Sequence, residues 1–193
     1  VWFLAGEPGI GKTRLVEELA ERAVAGDTAV CFGRCWEAGG APPYWPWIEV
    51  LRALLRCPES SSTRRALSTR ARVLCQLLPE LGSDSDATPG APHVGGERGR
   101  FELLDALAQA LCDAAREVPL LVVIEDLHVA DDATVSVLEL LNQQARASRL
   151  TLVGTLRDTD ARLACSSGAL ARLAQGPRRI ELERLGRAHV GAF

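Results

Sequence analysis

Short apolar runs alternate with amphipathic segments along most of the chain. Five apolar runs predict strands, at residues 1–5, 28–33, 120–124, 150–155 and 179–182. Apolar residues at helical spacing predict helices, near residues 12–25, 47–55, 64–78, 98–117, 131–145 and 168–175. The run at 120–124 is apolar throughout, as in a strand that is covered on both faces. Strands that alternate with helices predict right-handed crossovers and a parallel α/β sheet.

The apolar pattern also suggests how the chain is organised. With 193 residues and 47% hydrophobic content, the chain can bury one sizeable core. We therefore expect one domain over residues 1–185, with a flexible loop over residues 82–97, where glycine, proline, serine and aspartate collect. A strand at the first residue and the start of a helix at residues 186–193 suggest a fragment of a longer polypeptide.

Composition narrows the function classes. The 22 basic and 25 acidic residues are spread along the chain. The sequence therefore lacks the concentrated positive charge that would predict direct contact with nucleic acid. The apolar runs are far shorter than the roughly 20 residues of a membrane span, and the first residues lack the pattern of a signal peptide, so we expect neither feature. The six cysteines lack metal-type spacing, and we expect buried free thiols at Cys31, Cys75 and Cys112. A cytoplasmic protein is therefore expected.

A phosphate-binding loop lies between the first predicted strand and the first predicted helix. The pattern G-x-x-x-x-G-K-[ST] is matched by Gly6, Glu7, Pro8, Gly9, Ile10, Gly11, Lys12 and Thr13, and Arg14 follows it. Glycines allow consecutive N–H groups to face phosphate oxygens, and the helix adds its positive end. We expect Lys12 to contact the β/γ-phosphates and Thr13 to bind Mg²⁺. Lys12 is also the only lysine beside 21 arginines.

Two adjacent acids follow the most apolar strand. Glu125 and Asp126 come directly after residues 120–124, where a carboxylate can hold the magnesium shell of a bound nucleotide. By position, Glu125 takes the metal role and Asp126 orients the attacking water. The roles can also be exchanged, and the plainest alternative is a strand that ends in two solvated acids.

Three further polar residues are candidates with open roles. Arg157 follows the fourth predicted strand, where a side chain can contact the γ-phosphate, although a solvated arginine is equally compatible with the sequence. Asp131 is placed to cap the next helix. His128 and Asp131 can alternatively couple the acids to the nucleotide.

The chain resembles the STAND nucleotidases, which are related to AAA+ ATPases, and in particular the ATPase module of large ATP-binding LuxR-type bacterial transcriptional regulators. Five segments over about residues 1–160 carry the resemblance: GEPGIGKTRLVEEL, GRCWEAGGAPPYWPWIEVLRAL, GERGRFELLDALAQAL, LLVVIEDLHVADDATVSVLELL and LVGTLRD. The second segment is the most discriminating, because a generic phosphate-loop protein has no need of it. One departure is Val129, where the family usually has tryptophan.

The resemblance implies a specific fold and function. It implies the sheet order 5-1-4-3-2, acids at Glu125 and Asp126, and an arginine at Arg157. It also implies binding of ATP or ADP with Mg²⁺, slow hydrolysis, contact with other domains of the same polypeptide, and an option of nucleotide-dependent self-association. The family's adenine-contacting stretch would lie upstream of the first strand.

Three functions from different classes remain open at this point. The first is a signalling ATPase switch in a transcriptional regulator. The second is an enzyme with rapid turnover, such as a motor or a small-molecule kinase. The third is a scaffold that binds ATP or ADP without hydrolysis. A related module attached to a cyclase or kinase output domain would share the same sequence features.

Overall fold

A five-stranded parallel sheet forms the centre of the computed structural model. Its strands are β1 (Trp2–Gly6), β2 (Ala29–Arg34), β3 (Leu120–Glu125), β4 (Leu150–Arg157) and β5 (Arg179–Glu181). They are hydrogen-bonded in the order β2-β3-β4-β1-β5. The sequence-based expectation of an α/β fold with sheet order 5-1-4-3-2 is therefore confirmed. The structure describes residues 1–36, 41–56, 61–82, 96–145, 148–157, 168–175 and 178–184.

Helices connect the strands on both faces of the sheet. They are α1 (Lys12–Ala25), α2 (Trp45–Arg56), α3 (Ser61–Thr69), α4 (Ala71–Leu74), α5 (Glu97–Ala114), α6 (Asp132–Gln144) and α7 (Gly168–Ala174). Short 3-10 turns are formed by Pro79–Gly82 and Leu127–Val129. Most of the predicted loop at 82–97 lies outside the described residues. All of the predicted helix start at 186–193 also lies outside them. Within the described part, every helix is too short or too polar to cross a membrane.

The sheet separates a large core from a small one. Alternate residues of β3 point to opposite faces, as strand geometry requires. Val122 and Ile124 belong to the large core, together with side chains from α2 to α7. Leu121 and Val123 join a small cluster with Leu4, Val153 and Val16 of α1. Among the described helices, α1 alone packs its core residue on that second face.

The apolar face of α1 is only partly buried. The sequence pattern groups Leu15 and Leu19 with Val16 and Ala20, but the structure buries only Val16 and Ala20 of these four. Leu15 and Leu19 are 44% and 41% exposed. Both leucines line an open apolar groove between α1 and strands β1, β4 and β5.

The helix predicted over residues 64–78 is divided into α3 and α4 at Arg70, which has φ −112° and ψ 9°. Ser68 and Thr69 hydroxyls donate to the Arg65 carbonyl, at 3.2 and 2.7 Å, which competes with continuation of the helix. The Arg70 guanidinium pairs with Asp113 of α5 at 2.7 Å. A tertiary ion pair therefore accompanies the break.

The cysteines are less uniformly buried than expected. Cys31 of β2 is 1% exposed, which agrees with its apolar pattern. Cys75 and Cys112 are partly exposed, so the expectation that all three thiols are buried is wrong. Cys112 of α5 packs only partly against the core, and Cys75 follows the last residue of α4. Apolar periodicity alone does not distinguish such border positions from central ones.

Candidate functional site

The loop between β1 and α1 has the backbone that its glycines predict. Gly9 and Gly11 have φ of 77° and 106°, a conformation that is unfavourable for other residues. A Cβ atom at either glycine would have no other atom within 4 Å, so the loop faces open space. Gly6 is different, because a Cβ there would lie 2.9 Å from Ile10 Cγ2. The loop thus combines two left-handed glycines with one that permits close packing.

Lys12 folds back over this loop. Its Nζ donates to the carbonyl oxygens of Gly6 and Glu7, each at 2.8 Å. The residue is only 9% exposed, although the loop around it faces solvent. An ammonium held in a glycine-rich loop at the start of a helix is an arrangement suited to phosphate oxygens.

The loop and the strand-end acids meet at one edge of the sheet. Thr13 Oγ1 donates to Glu125 Oε1 at 2.9 Å, although 112 positions separate the two residues. Parallel strands bring their carboxyl ends to the same edge, which places β3 near the loop after β1. A hydroxyl and a carboxylate are both hard oxygen ligands of the kind that Mg²⁺ prefers.

No cluster of three or more His, Cys, Asp or Glu side chains suited to a metal ion occurs among the described residues. Magnesium bound with a nucleotide does not need such a cluster, because phosphates and waters fill most of its coordination sphere. The single contact between Thr13 and Glu125 therefore fits a magnesium ion shared with phosphate.

Asp126 leaves the line of β3. It has φ 57° and ψ 39°, in the left-handed region. Its backbone N–H donates to Thr155 Oγ1 at 2.9 Å. Arg34, at the end of β2, donates to its Oδ2 from Nε at 3.1 Å and from Nη2 at 3.0 Å. His128 Nδ1 lies 3.9 Å from Asp126 Oδ1. The two adjacent acids thus have different partners: Glu125 contacts the loop, and Asp126 contacts β2 and β4.

A cavity of about 260 Å³ opens beside Asp126. Its lining residues come from the ends of β2, β3 and β4: Arg34, Cys35, Trp36, Asp126, His128, Val129 and Arg157. Burial, followed by the charges of Asp131, Asp126 and Glu49, raises the pKa of the Cys35 thiol to about 12. Cys35 therefore lines this cavity as a neutral thiol at physiological pH.

Arg157 is the last residue of β4 and not a residue beyond it. Its register partner in β1 is Gly6, the first residue of the loop. Since it also lines the cavity beside Asp126, the fold brings it between the loop and the acids. The structure thus gathers Lys12, Thr13, both acids and Arg157 at one sheet edge.

Other candidate side chains have local partners. The Arg14 guanidinium lies 3.7 Å from both Glu17 and Glu18, along the outer surface of α1. Asp131 caps α6, because its carboxylate accepts from Thr134 N at 2.8 Å and from Thr134 Oγ1 at 2.7 Å. The predicted capping role of Asp131 is confirmed.

Three residues of this region have no signal in the sequence pattern. Arg34 is one of many arginines, and Thr155 lies within an apolar strand. Arg184, after β5, donates to Glu7 Oε2 from Nη2 at 2.7 Å and from Nε at 3.0 Å. The contacts of these three residues depend on which strands lie side by side in the sheet. In the sequence, only their position near a strand end could have indicated them.

A comparison with models of protein families finds a match. A family model described as "AAA ATPase domain" matches residues 1–153. A comparison with curated proteins finds no significant match. Similar solved chains include two from Drosophila ORC bound to Cdc6 and to AT-rich or GC-rich DNA. They have 13% and 14% identity and a TM-score of 0.43, and the matches cover 93% and 99% of this chain.

The bacterial conjugative coupling protein TrwB has 14% identity and a TM-score of 0.41, over 90% of this chain. The matches cover 47%, 53% and 65% of the respective solved chains, so this chain spans about half to two thirds of their length.

Proposed function

Because the chain belongs to the AAA ATPase domain family, we propose that it binds Mg²⁺ with ATP or ADP and hydrolyses ATP slowly as the switch module of a multidomain bacterial transcriptional regulator. The observation that carries this proposal is the hydrogen bond between Thr13 and Glu125. It joins the phosphate-type loop to a strand-end acid, and these are the two halves that nucleotide chemistry needs.

The loop supplies the phosphate site in this proposal. The amino end of α1 gives the positive end of a helix dipole, and Gly9 and Gly11 leave the space above the loop open. Lys12 would exchange its two carbonyl contacts for phosphate oxygens. That exchange costs little, because one set of charge-assisted hydrogen bonds replaces another.

Thr13 and Glu125 would hold the magnesium ion that accompanies the nucleotide. The ion, when bound, neutralises developing charge on the phosphates. Thr13 and Glu125 already face each other at 2.9 Å, so little rearrangement is needed to bring both oxygens into its sphere. Arg157 is placed to contact the terminal phosphate, because its partner in β1 is the first residue of the loop.

Asp126 would orient and deprotonate the attacking water. In the structure its Oδ2 accepts two hydrogen bonds from Arg34, and its side chain is only 22% exposed. Both contacts with Arg34 must be broken before Asp126 Oδ2 is free to accept a hydrogen bond from the attacking water. This contact supports slow turnover, as expected of a switch, over the rapid turnover of a motor or a metabolic kinase.

The same ion pair favours a second candidate function, a scaffold that binds nucleotide without hydrolysis. Permanent pairing of Asp126 with Arg34 would leave the loop able to bind ATP and no group free to activate water. Hydrolysis under single-turnover conditions separates the two functions, since a scaffold shows none above the buffer rate.

The regulator context rests on sequence resemblance together with one contact. Arg184 binds Glu7 of the phosphate loop through two hydrogen bonds to one oxygen. This contact connects the segment after β5 to the loop. In this proposal it transmits the nucleotide state of the loop to the other domains of the regulator. A cyclase or kinase output domain in place of a DNA-binding one would be served by the same contact.

The two acids give the experiment that tests this function. Glu125→Gln should weaken the magnesium dependence of ATP binding, because a neutral amide attracts the cation less. Asp126→Asn should retain Mg²⁺-ATP binding and suppress hydrolysis, because an amide cannot accept the water's proton. Asparagine also tolerates the left-handed backbone at this position, so the turn should persist.

Binding and single-turnover hydrolysis should be measured on both variants across a magnesium titration. Asp132→Asn, which changes an exposed acid in the first turn of α6, is the matched control and should behave as wild type. The reverse pattern in the two acids would exchange their roles. Normal hydrolysis in both variants would contradict the proposal.

A further inference from the structure

The turn that carries Asp126 rests on two adjacent residues of β4. The ladder between β3 and β4 ends at the pair Ile124 and Gly154. Beyond that pair, the Asp126 N–H donates to the Thr155 hydroxyl at 2.9 Å, so a side chain replaces the next backbone acceptor. Thr155 is 3% exposed, which shields this hydrogen bond from water.

Gly154 provides the other half of this support. A Cβ atom at Gly154 would overlap Leu127 Cδ1, so the Leu127 side chain packs directly over β4 in the space that glycine leaves open. Leu127 itself is fully buried. The chain on both sides of the Asp126 carboxylate is therefore fixed by β4, through an apolar contact at Leu127 and a hydrogen bond at Asp126.

The left-handed backbone at Asp126 determines where the two acidic side chains point. In an extended strand, Glu125 and Asp126 would point to opposite faces of the sheet. The turn at φ 57° instead directs both carboxylates to the open edge, toward Thr13 and toward Arg34 respectively. Aspartate adopts this conformation more readily than most residues but less readily than glycine, so contacts from its surroundings stabilise the turn.

We propose that Thr155 is a positioning residue, whose hydroxyl accepts the Asp126 N–H and thereby aims the Asp126 carboxylate at the water that attacks the nucleotide. This inference rests on the proposed function, since it takes Asp126 as the base. Thr155 itself acts through the backbone of Asp126. Arg157 lies two residues further along β4. One strand therefore carries both the residue that positions Asp126 and the residue proposed to contact the γ-phosphate.

The test is Thr155→Val, which keeps the shape of the side chain and removes the acceptor. We expect single-turnover hydrolysis to fall at least about tenfold, while Mg²⁺-ATP affinity stays within about twofold of wild type. Thr155→Ser retains the hydroxyl and should restore most of the rate. Thr151→Val changes an exposed threonine four residues earlier in the same strand and should alter neither quantity.

A second measurement separates positioning from general destabilisation. In an Asp126→Asn background, Thr155→Val should lower hydrolysis no further, because the group that it positions is already inactive. If Thr155→Val does not fold, Thr155→Ala is judged by the same criteria, since it removes the acceptor without placing a methyl group against the N–H.

Each outcome decides the point. A wild-type rate in Thr155→Val beside an inactive Asp126→Asn would overturn this inference and leave the proposed function intact. Parallel losses of binding and hydrolysis, or additive losses with Asp126→Asn, would also overturn it, since they indicate a structural role. Normal hydrolysis in Asp126→Asn would instead show that the proposed base is wrong.

Discussion

Gly33 lies where β2 meets the first turn of α2, next to the strand end that carries Arg34. A Cβ atom at this position would lie 2.3 Å from the Pro46 carbonyl oxygen, 2.9 Å from its carbon and 3.0 Å from Pro46 Cα. All three are backbone atoms, so no side chain can rotate away. Gly33→Ala must therefore separate β2 from α2 by about 1 Å to restore ordinary contact, and overpacking of this kind costs about 1–3 kcal/mol.

The consequence should reach the site. Gly33 pairs in register with Ile124, and the next pair along the two strands is Arg34 with Glu125. A displaced β2 would move Arg34 relative to the acids at the end of β3. We therefore expect Gly33→Ala to lower the free energy of unfolding by about 2 kcal/mol and to change the hydrolysis rate as well.

Urea unfolding monitored by circular dichroism measures this change, with Gly26→Ala as the matched control. Gly26 has a negative φ of −102°, and its nearest contacts for a Cβ are carbonyl oxygens at 3.6 Å. Its replacement should change stability by less than about 1 kcal/mol, in either direction. A Gly33→Ala protein that is as stable as the Gly26→Ala protein would refute the close packing of β2 on α2.

The remaining predictions concern the pKa of Cys35 and the cap of α6. At pH 8, Cys35 should react with thiol reagents much more slowly than the partly exposed Cys75, because burial and nearby acids raise the pKa of Cys35 to about 12; rapid labelling of Cys35, seen by site-resolved mass spectrometry, would contradict this. Since the folded pKa lies above the usual thiol value of 9.0, the stability from the neutral thiol is present below about pH 9 and is lost as the pH rises toward 12. Asp131→Ala should lower the free energy of unfolding by about 1 kcal/mol through loss of the cap on Thr134, with Asp132→Ala as the control, and equal stability of the two variants would contradict the cap.

The sequence predicts the sheet and both halves of the candidate site because these depend on local patterns. The loop at Gly6 to Thr13 needs glycines at fixed spacing, and the acids Glu125 and Asp126 follow an apolar strand. The alternation of strands and helices then brings the two motifs to one edge. The contact of Thr13 with Glu125 is the direct result.

Features that depend on strand neighbours could not be predicted in this way. Arg34 meets Asp126 only because β2 lies beside β3, and Thr155 meets it only because β4 lies on the other side. The left-handed backbone of Asp126 could not be predicted either, because no glycine follows it to indicate a turn and the next residue is the apolar Leu127. Exposure of Leu15 and Leu19 likewise depends on how far α1 extends over the sheet, which helical periodicity does not encode.

The most direct test of the account is isothermal titration of Mg²⁺-ATP into the wild-type chain and into Lys12→Ala, with Arg22→Ala as a control for loss of one basic residue from α1. Lys12→Ala should weaken binding by roughly 10- to 100-fold or more, as expected for loss of one or more hydrogen bonds from a charged group. Arg22→Ala should bind as wild type, because its partner is Glu18 on the outer surface of α1. Unchanged Mg²⁺-ATP affinity in a folded Lys12→Ala protein would contradict the assignment of the loop as a nucleotide site.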